Sequence, residues 1–261
     1  MPPQPTPLPN ANPSSRWESD RYTTTGAFVP ALAEAILTSL DLQLAERILD
    51  VGCGDGTLTA RLAAAGADVV GIDASPTLVA VARARGLDVR LGDAAAMTFD
   101  GEFDAVFSNA ALHRILDYDA VASAMFRALR PSGRLAVEFG GFGNIAAIRT
   151  ALRAVLLARG VIHLPEDQFY RTAEQYSDVL TRAGFTDVRA EIVPRPTSLV
   201  DGMAAWLHTF RGGLFDALGL DEAERAEVVA EVEALLAPAL QDPGGGWWAD
   251  YVRIRAWARR P

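Results

Sequence analysis

From Ile48 onward the chain alternates short apolar runs with stretches in which apolar residues recur every three or four positions. Ile48, Leu49 and Val51 form the first run, which stops at a glycine cluster. Leu58, Leu62 and Ala65 follow at helical spacing, Gly66 closes that stretch, and Val69, Val70 and Ile72 make a second run ending at Asp73. Apolar runs bounded by turn residues indicate strands and the longer recurrence indicates a helix, so residues 47–73 read as strand, helix, strand. The next helix carries Ser75 as a cap, Pro76 at its first position and Gly86 beyond its end. Residues 87–91 and 103–107 form the third and fourth strands. A helix over 119–129 buries Val121, Met125, Phe126 and Leu129, Pro131 and Gly133 build a turn, and residues 135–139 form the fifth strand. Strict alternation of this kind implies a parallel sheet with right-handed crossovers.

Beyond Gly140 the alternation loosens. Ile145, Ile148, Leu152, Val155 and Leu156 recur at helical spacing; Thr172 and Gln175 make a capping box before Tyr176, Val179 and Leu180. Residues 185–193 form a sixth strand, broken by Pro194 and Pro196. Two helices are expected over 199–218 and 221–237, the second capped by Asp221 and Glu224 and ended by Pro238. Residues 247–258, WWADYVRIRAWA, alternate and are rich in aromatics, as a last strand should be. Ahead of the first strand, Phe28, Leu32, Ile36 and Leu40 share a helical face, and the proline-rich stretch 1–15 reads as a disordered leader. The fold expected is α/β: a Rossmann-like, doubly wound, mostly parallel sheet of about seven strands. Residues 16–261 form one domain, with a helical substrate lid contributed by 144–183 and 199–240.

Composition narrows the partners. The 261 residues are 50% hydrophobic with net charge -9. An acidic chain without a long basic run is a poor match for nucleic acid, which is bound largely by phosphate neutralisation. No apolar run approaches the roughly 20 residues that span a bilayer, and the amino terminus lacks the basic flank and apolar stretch of a signal peptide. Cys53 is the sole cysteine, which excludes an internal disulfide and suggests a cytoplasmic setting. Three scattered histidines make no metal-ligand pattern, so no metal is expected. A small-molecule substrate is the expected partner; oligomeric state is left open.

The chemistry concentrates in the glycine cluster. Gly52, Gly54 and Gly56 let the chain turn sharply and let a ligand approach main chain, while the helix starting near Thr57 offers unpaired N–H groups to the same crevice. Asp73, ending the second strand, stands where an acid accepts ribose hydroxyls. Nicotinamide cofactors use this fold with a GxGxxG fingerprint. Here the third glycine comes one residue early, and Asp50 would face a pyrophosphate with negative charge. The run LDVGCGDG followed by GID resembles the first two motifs of class I S-adenosylmethionine-dependent methyltransferases. That resemblance implies S-adenosylmethionine as cofactor and a last strand running antiparallel between the fifth and sixth. It gives Asp50 the amino end of the methionine moiety and Asp73 the ribose, with Ala74 beside it. Gly52, Cys53, Gly54 and Gly56 line the donor pocket, and Asp93 and Ala94 take the adenine edge. Cys53 reads as a small lining residue rather than a nucleophile. Tyr22 is the candidate for an aromatic folding over the cofactor, or it staples the leader to the domain.

The acceptor side is set by SNAALH, residues 108–113, which resembles the fourth motif of small-molecule methyltransferases that include trans-aconitate methyltransferases. Asn109 and His113 then border the place where the methyl group is presented. Relatives often follow this histidine with an aromatic residue; here it is Arg114. His113 is a base only if the acceptor carries a proton, since a carboxylate acceptor needs none. From the helical lid, Arg149, Arg153, Trp206, His208 and Arg211, with Tyr251 on the last strand, are candidates for binding an anionic, partly apolar acceptor. A carboxylate, hydroxyl or amine acceptor all fit. Two other readings share the fold: an NAD-dependent oxidoreductase, and a noncatalytic S-adenosylmethionine-binding regulatory module.

Overall fold

A computed structural model describes residues 33–164 and 168–261. Its chain order is α1 (Glu34–Ser39), β1 (Arg47–Val51), α2 (Thr57–Ala64), β2 (Asp68–Asp73), α3 (Pro76–Ala84), β3 (Asp88–Leu91), β4 (Phe103–Asn109), α4 (Tyr118–Ala128), β5 (Leu129–Gly140) and α5 (Ala146–Ala158). Then come α6 (Ala173–Arg182), β6 (Thr186–Pro194), β7 (Thr197–Leu199), α7 (Gly202–Ala217), α8 (Glu222–Leu240), β8 (Trp247–Ala249) and β9 (Val252–Arg259). Seven strands form one sheet in the order β3-β2-β1-β4-β5-β9-β6. Strands β1 to β5 pair in parallel, and β9 runs antiparallel to both β5 and β6. This is the Rossmann-like sheet expected, with its last strand reversed.

The period-two geometry of the strands divides the core. Ile48, Val69, Ala105 and Phe107 meet Leu58 and Leu62 of α2 and Ile36 and Leu40 on one face. On the other, Leu49, Val51, Val70, Val106, Val137 and Phe139 meet α4 and Tyr176, Val179 and Leu180 of α6. The start signals act as read: Ser75 accepts from Leu78 N–H with Pro76 in the first turn, and Thr172–Gln175 and Asp221–Glu224 form reciprocal capping boxes.

A separate apolar cluster joins α5, α7 and α8 through Ile148, Leu152, Val155, Trp206, Leu207, Val228 and Val232. The helical addition is therefore these three helices plus the β7–β8 ribbon. Within the expected span 144–183, α6 packs its apolar face, Tyr176, Val179 and Leu180, on the main sheet rather than on this cluster. Two boundaries differ. Leu199 lies in β7, so α7 starts only at Gly202, and α8 runs through Pro238 to Leu240. Pro238 stands in the last turn, where its ring and missing N–H disturb little of the helix beyond it.

The terminal stretch 247–258 is two strands rather than one. It breaks at Asp250 and Tyr251 because both are used elsewhere. The Asp250 carboxylate accepts from Ala147 N–H at 2.7 Å and its carbonyl accepts from Ile145 N–H at 2.9 Å, which fixes the start of α5. The Tyr251 hydroxyl accepts from Trp206 Nε1 at 2.6 Å, tying the break to α7. Asp250→Ala is expected to cost about 1 kcal/mol of stability, the usual value of a lost helix cap. Urea unfolding checks this; an unchanged midpoint would show that the break does not depend on the cap.

Candidate active site

Three glycines after β1 share a left-handed backbone, and two of them are fixed by close packing. A Cβ on Gly52 would stand 2.2 Å from Ala111 Cβ, and one on Gly56 would stand 2.4 Å from Leu87 Cδ1. Gly54 differs: a Cβ there would meet nothing within 4 Å, so this residue borders open space at the C-terminal edge of the sheet. Its N–H donates to Asp73 Oδ2 at 2.9 Å, while Asp73 Oδ1 accepts from Ser75 N–H at 2.8 Å. Burial raises the Asp73 pKa, opposed by those two N–H groups and by the charge of Arg114. Each carboxylate oxygen retains a lone pair for a further donor. Asn109, ending β4, has a buried Oδ1 with no hydrogen-bond partner. An open glycine turn flanked by a carboxylate and an unsatisfied amide oxygen suits a ligand carrying hydroxyl and ammonium donors, as S-adenosylmethionine does.

Asp50 is buried, and its Oδ2 accepts from the Thr59 hydroxyl at 2.7 Å. Burial pushes its pKa up to about 7, against the pull of that hydroxyl. The Cys53 thiol packs among Val79, Ala82 and Val89, and burial raises its pKa, so it fills space rather than acting as a nucleophile. Asp93 accepts from Ala95 N–H at 2.9 Å, capping a short turn over Ala94–Ala96; Ala94 is buried against the main core and Ala74 is exposed. Tyr22 lies outside the described residues.

Next to this crevice is a cavity of about 70 Å³ that is partly open to solvent. His113, Trp206, Tyr251 and Arg211 all line it, so four candidates separated by up to 138 positions in the chain meet in space. His113 Nδ1 accepts from Gly140 N–H at 3.4 Å. Burial and the charges of Arg114, Arg253 and Arg211 hold its pKa well below the ordinary histidine value. The ring is neutral, and with Nδ1 accepting its proton sits on Nε2. Burial raises the Tyr251 pKa as well.

Arg149 is not a cavity residue. It is exposed on α5 and its guanidinium lies 5.1 Å from the Tyr170 ring centroid, so it touches the cavity wall from outside. Arg153 is likewise exposed, and His208 does not line the cavity. The cationic lining comes instead from Arg114, Arg195, Arg211 and Arg253. Gln168 accepts from Tyr170 OH and from Arg211 Nη2, the latter at 3.0 Å, closing one side. Glu138 stands behind the arginines with zero exposure, bonded to Arg195 Nη1 at 2.5 Å and Arg255 Nε at 2.5 Å. Sequence reading passed over Glu138, Arg195 and Arg253. An acid inside the apolar run LAVEFG was the available signal, because a buried carboxylate requires a partner.

The reversed-strand sheet, the open glycine turn and the two flanking carboxylates define a class I S-adenosylmethionine-dependent methyltransferase. Comparison with known proteins agrees: the chain belongs to the methyltransferase family. Residues 49–137 match the methyltransferase domain. An uncharacterized methyltransferase of Schizosaccharomyces pombe is 34% identical over 259 residues, covering 93% of this chain and 97% of that one. Trans-aconitate 2-methyltransferase of Mycobacterium tuberculosis is 32% identical over 154 residues, covering 57% of this chain and 59% of the relative. In fold, the chain matches phosphoethanolamine N-methyltransferase 2 of Haemonchus contortus, solved with S-adenosyl-L-methionine, at a TM-score of 0.57 and 20% identity. That alignment covers 88% of this chain and 52% of the other. Among the described residues no helix is long and apolar enough to cross a membrane.

The state of Asp50 sets a pH dependence. Folded, it keeps its proton to about pH 7; unfolded, it releases it near its ordinary value of 3.8. Between these values the folded state binds more protons, so this group's contribution falls as pH rises and levels off above the folded pKa. Asp50→Asn, which retains an acceptor for Thr59, is expected to gain stability relative to the native chain from about pH 4 to pH 7 and no further beyond pH 8. Urea titrations at three pH values measure the gap; a constant gap would place Asp50 in its ordinary ionisation range.

Proposed function

We propose that the chain methylates a small molecule held in the cavity beside His113, using S-adenosylmethionine bound against the glycine turn. The observation that carries this reading is the contact of Gly52 with Ala111, which presses the turn against the loop bearing His113. Donor crevice and acceptor cavity are therefore neighbours at the C-terminal edge of the sheet, where ligands of open α/β folds bind. When bound, the donor supplies a methyl group on a positively charged sulfur that leaves as a neutral thioether.

The residues divide the remaining work. Asp73 accepts ribose hydroxyls with the lone pairs not used by Gly54 and Ser75. Asp50 holds the methionine ammonium; gaining that charge favours its ionised form and draws off its proton at neutral pH. Asp93 and Ala94 border the adenine, Asn109 Oδ1 accepts from the donor, and Tyr22 contributes from the amino-terminal segment. Trp206 and Tyr251 hold the acceptor in line with the methyl group. Alignment of two bound reactants lowers a barrier by on the order of 7–11 kcal/mol in the best intramolecular cases. His113 is a poor base here, because its pKa is low and Nδ1 already accepts a hydrogen bond. Its Nε2–H instead donates to the acceptor and orients it. That assignment favours an acceptor atom that is nucleophilic without losing a proton. The acidic composition of the chain and the concave, partly open cavity support a small molecule over nucleic acid or membrane.

Incubating the chain with methyl-labelled donor and a metabolite extract, then identifying the product by mass spectrometry, is expected to give a labelled small molecule. Label confined to protein or RNA would overturn the reading. Asp73→Ala is expected to weaken donor binding by about ten- to a hundredfold, as loss of hydrogen bonds to a charged group predicts. Calorimetry giving an unchanged Kd would remove Asp73 from the ribose site.

A further inference from the structure

Two buried carboxamides line the cavity with their oxygens engaged and their nitrogens not. Asn144 is 3% exposed and Gln168 7%. Asn144 Oδ1 accepts from Val252 N–H at 2.9 Å, and Gln168 Oε1 accepts from Tyr170 OH and from Arg211 Nη2, the latter at 3.0 Å. A backbone N–H and a guanidinium can only donate, so the atom facing each is the oxygen and the orientation of both amides is fixed. Asn144 Nδ2 and Gln168 Nε2 are left, each with two N–H donors bonded to none of the described residues. Arg211 Nε and Arg253 Nε are unpartnered because they are occluded; the two amide nitrogens are not occluded, so they keep contact with the cavity space. Polar groups this deep seldom go without a partner unless a ligand or water completes the set.

The two amides belong to one corner. A Cβ built on Gly140 would meet Asn144 Nδ2 at 2.8 Å and Tyr170 Cε1 at 2.6 Å, and Gly140 N–H donates to His113 Nδ1 at 3.4 Å. Asn144, His113 and Tyr170 therefore converge on Gly140, and the Tyr170 hydroxyl continues the line to Gln168. Side-chain acceptors in the lining are already engaged, His113 Nδ1 by Gly140 N–H and the Tyr251 hydroxyl by Trp206 Nε1. Among the described residues the lining holds four arginines and no carboxylate. A wall of N–H donors and positive charge selects oxygen atoms that carry negative charge. We propose that Asn144 Nδ2 and Gln168 Nε2 form an oxygen-binding site that holds a carboxylate of the methyl acceptor. This inference rests on the methyl-transfer reading, which supplies the reason for an acceptor in this cavity. Two donors on Gln168 Oε1, one of them charged, polarise that amide and strengthen its N–H groups. Arg195 and Arg253 face Glu138, and Arg211 bonds Gln168, so the donors that remain are neutral amides, which suit the single charge of a carboxylate better than the two of a phosphate. A cavity of about 70 Å³ has room for about five water molecules at about 10–15 Å³ apiece, so the enclosed part of the acceptor is a short-chain acid.

The test uses the full chain loaded with S-adenosylhomocysteine and four small probes, butyrate, butyramide, butylammonium and ethyl phosphate, read by ligand-observed NMR and calorimetry. Butyrate is expected to bind about tenfold or more tightly than butyramide, the discrimination that hydrogen bonds to a charged group supply, and butylammonium is expected not to bind. Gln168→Glu keeps the oxygen that Tyr170 and Arg211 use and replaces only the NH2 group. It is expected to lose the preference for butyrate and to admit butylammonium, with S-adenosylhomocysteine binding unchanged. Asn144→Leu, neutral and of similar size, removes donors without adding charge and is expected to lose the preference as well. Equal binding of butyrate and butyramide by the native chain, no butyrate binding, tighter binding of ethyl phosphate, or a preference for butyrate that survives in either folded variant would overturn the inference. The comparison of probes needs no variant, so it decides the matter if neither variant folds. Failure of the donor reading is separately visible as absence of heat with S-adenosylhomocysteine alone.

Discussion

Glu138 is the constraint on which the two halves of the molecule depend. It sits near the end of β5, opposite Arg255 of β9, with zero exposure, and takes Arg195 from the segment after β6. Its backbone carbonyl accepts from Ala110 N–H at 2.7 Å, so the same residue also fixes the loop that carries His113. A buried carboxylate is tolerated only when paired, and removing one partner of such a set costs on the order of 3–5 kcal/mol. The parallel half of the sheet, the reversed strand and the cavity wall are thereby locked to one side chain. A hydrophobic residue of similar size would pack the sheet equally well but would leave three guanidiniums without their counter-charge.

The second constraint is steric. Gly52 has to be glycine because the loop after β4 comes to within contact of it, and Ala110 adopts a positive φ of 59° in making that approach. A shift in either loop is felt by the other. Arg114 extends the coupling electrostatically: its charge bears on Asp73 in one direction and on His113 in the other. The glycine turn and the cavity are in this sense one structure, built from the ends of β1, β2, β4 and β5.

The glycine turn was legible in the sequence because it is local. The turn glycines, Asp50, Asp73 and the caps at Ser75 and Thr172 lie within a few residues of the elements they define, and their chemistry depends on backbone conformation. The cavity was only partly legible because its contacts span long separations: Glu138 meets Arg255 117 positions later, and Trp206 meets Tyr251 45 positions later. Helical spacing placed Trp206 and Arg211 on α7 correctly, but Arg149 satisfied the same criterion and faces outward against Tyr170. Periodicity identifies a face, not what covers it. The break at Asp250 was hidden for a related reason: WWADYVRIRAWA alternates throughout, and only the start of α5, over 100 residues earlier, shows why pairing stops there.

The charge of the cavity follows from how its arginines are held. Arg114, Arg195, Arg211 and Arg253 line it, and the buried Glu138 pairs with two of them, Arg195 and Arg253. Interior charges at such range interact more strongly than in water. Burial first, and then the charges of Arg114, Arg253 and Arg211, hold the His113 pKa well below its ordinary value. The same three guanidiniums therefore make the wall beside His113 a poorer place for a positive charge than for a negative one.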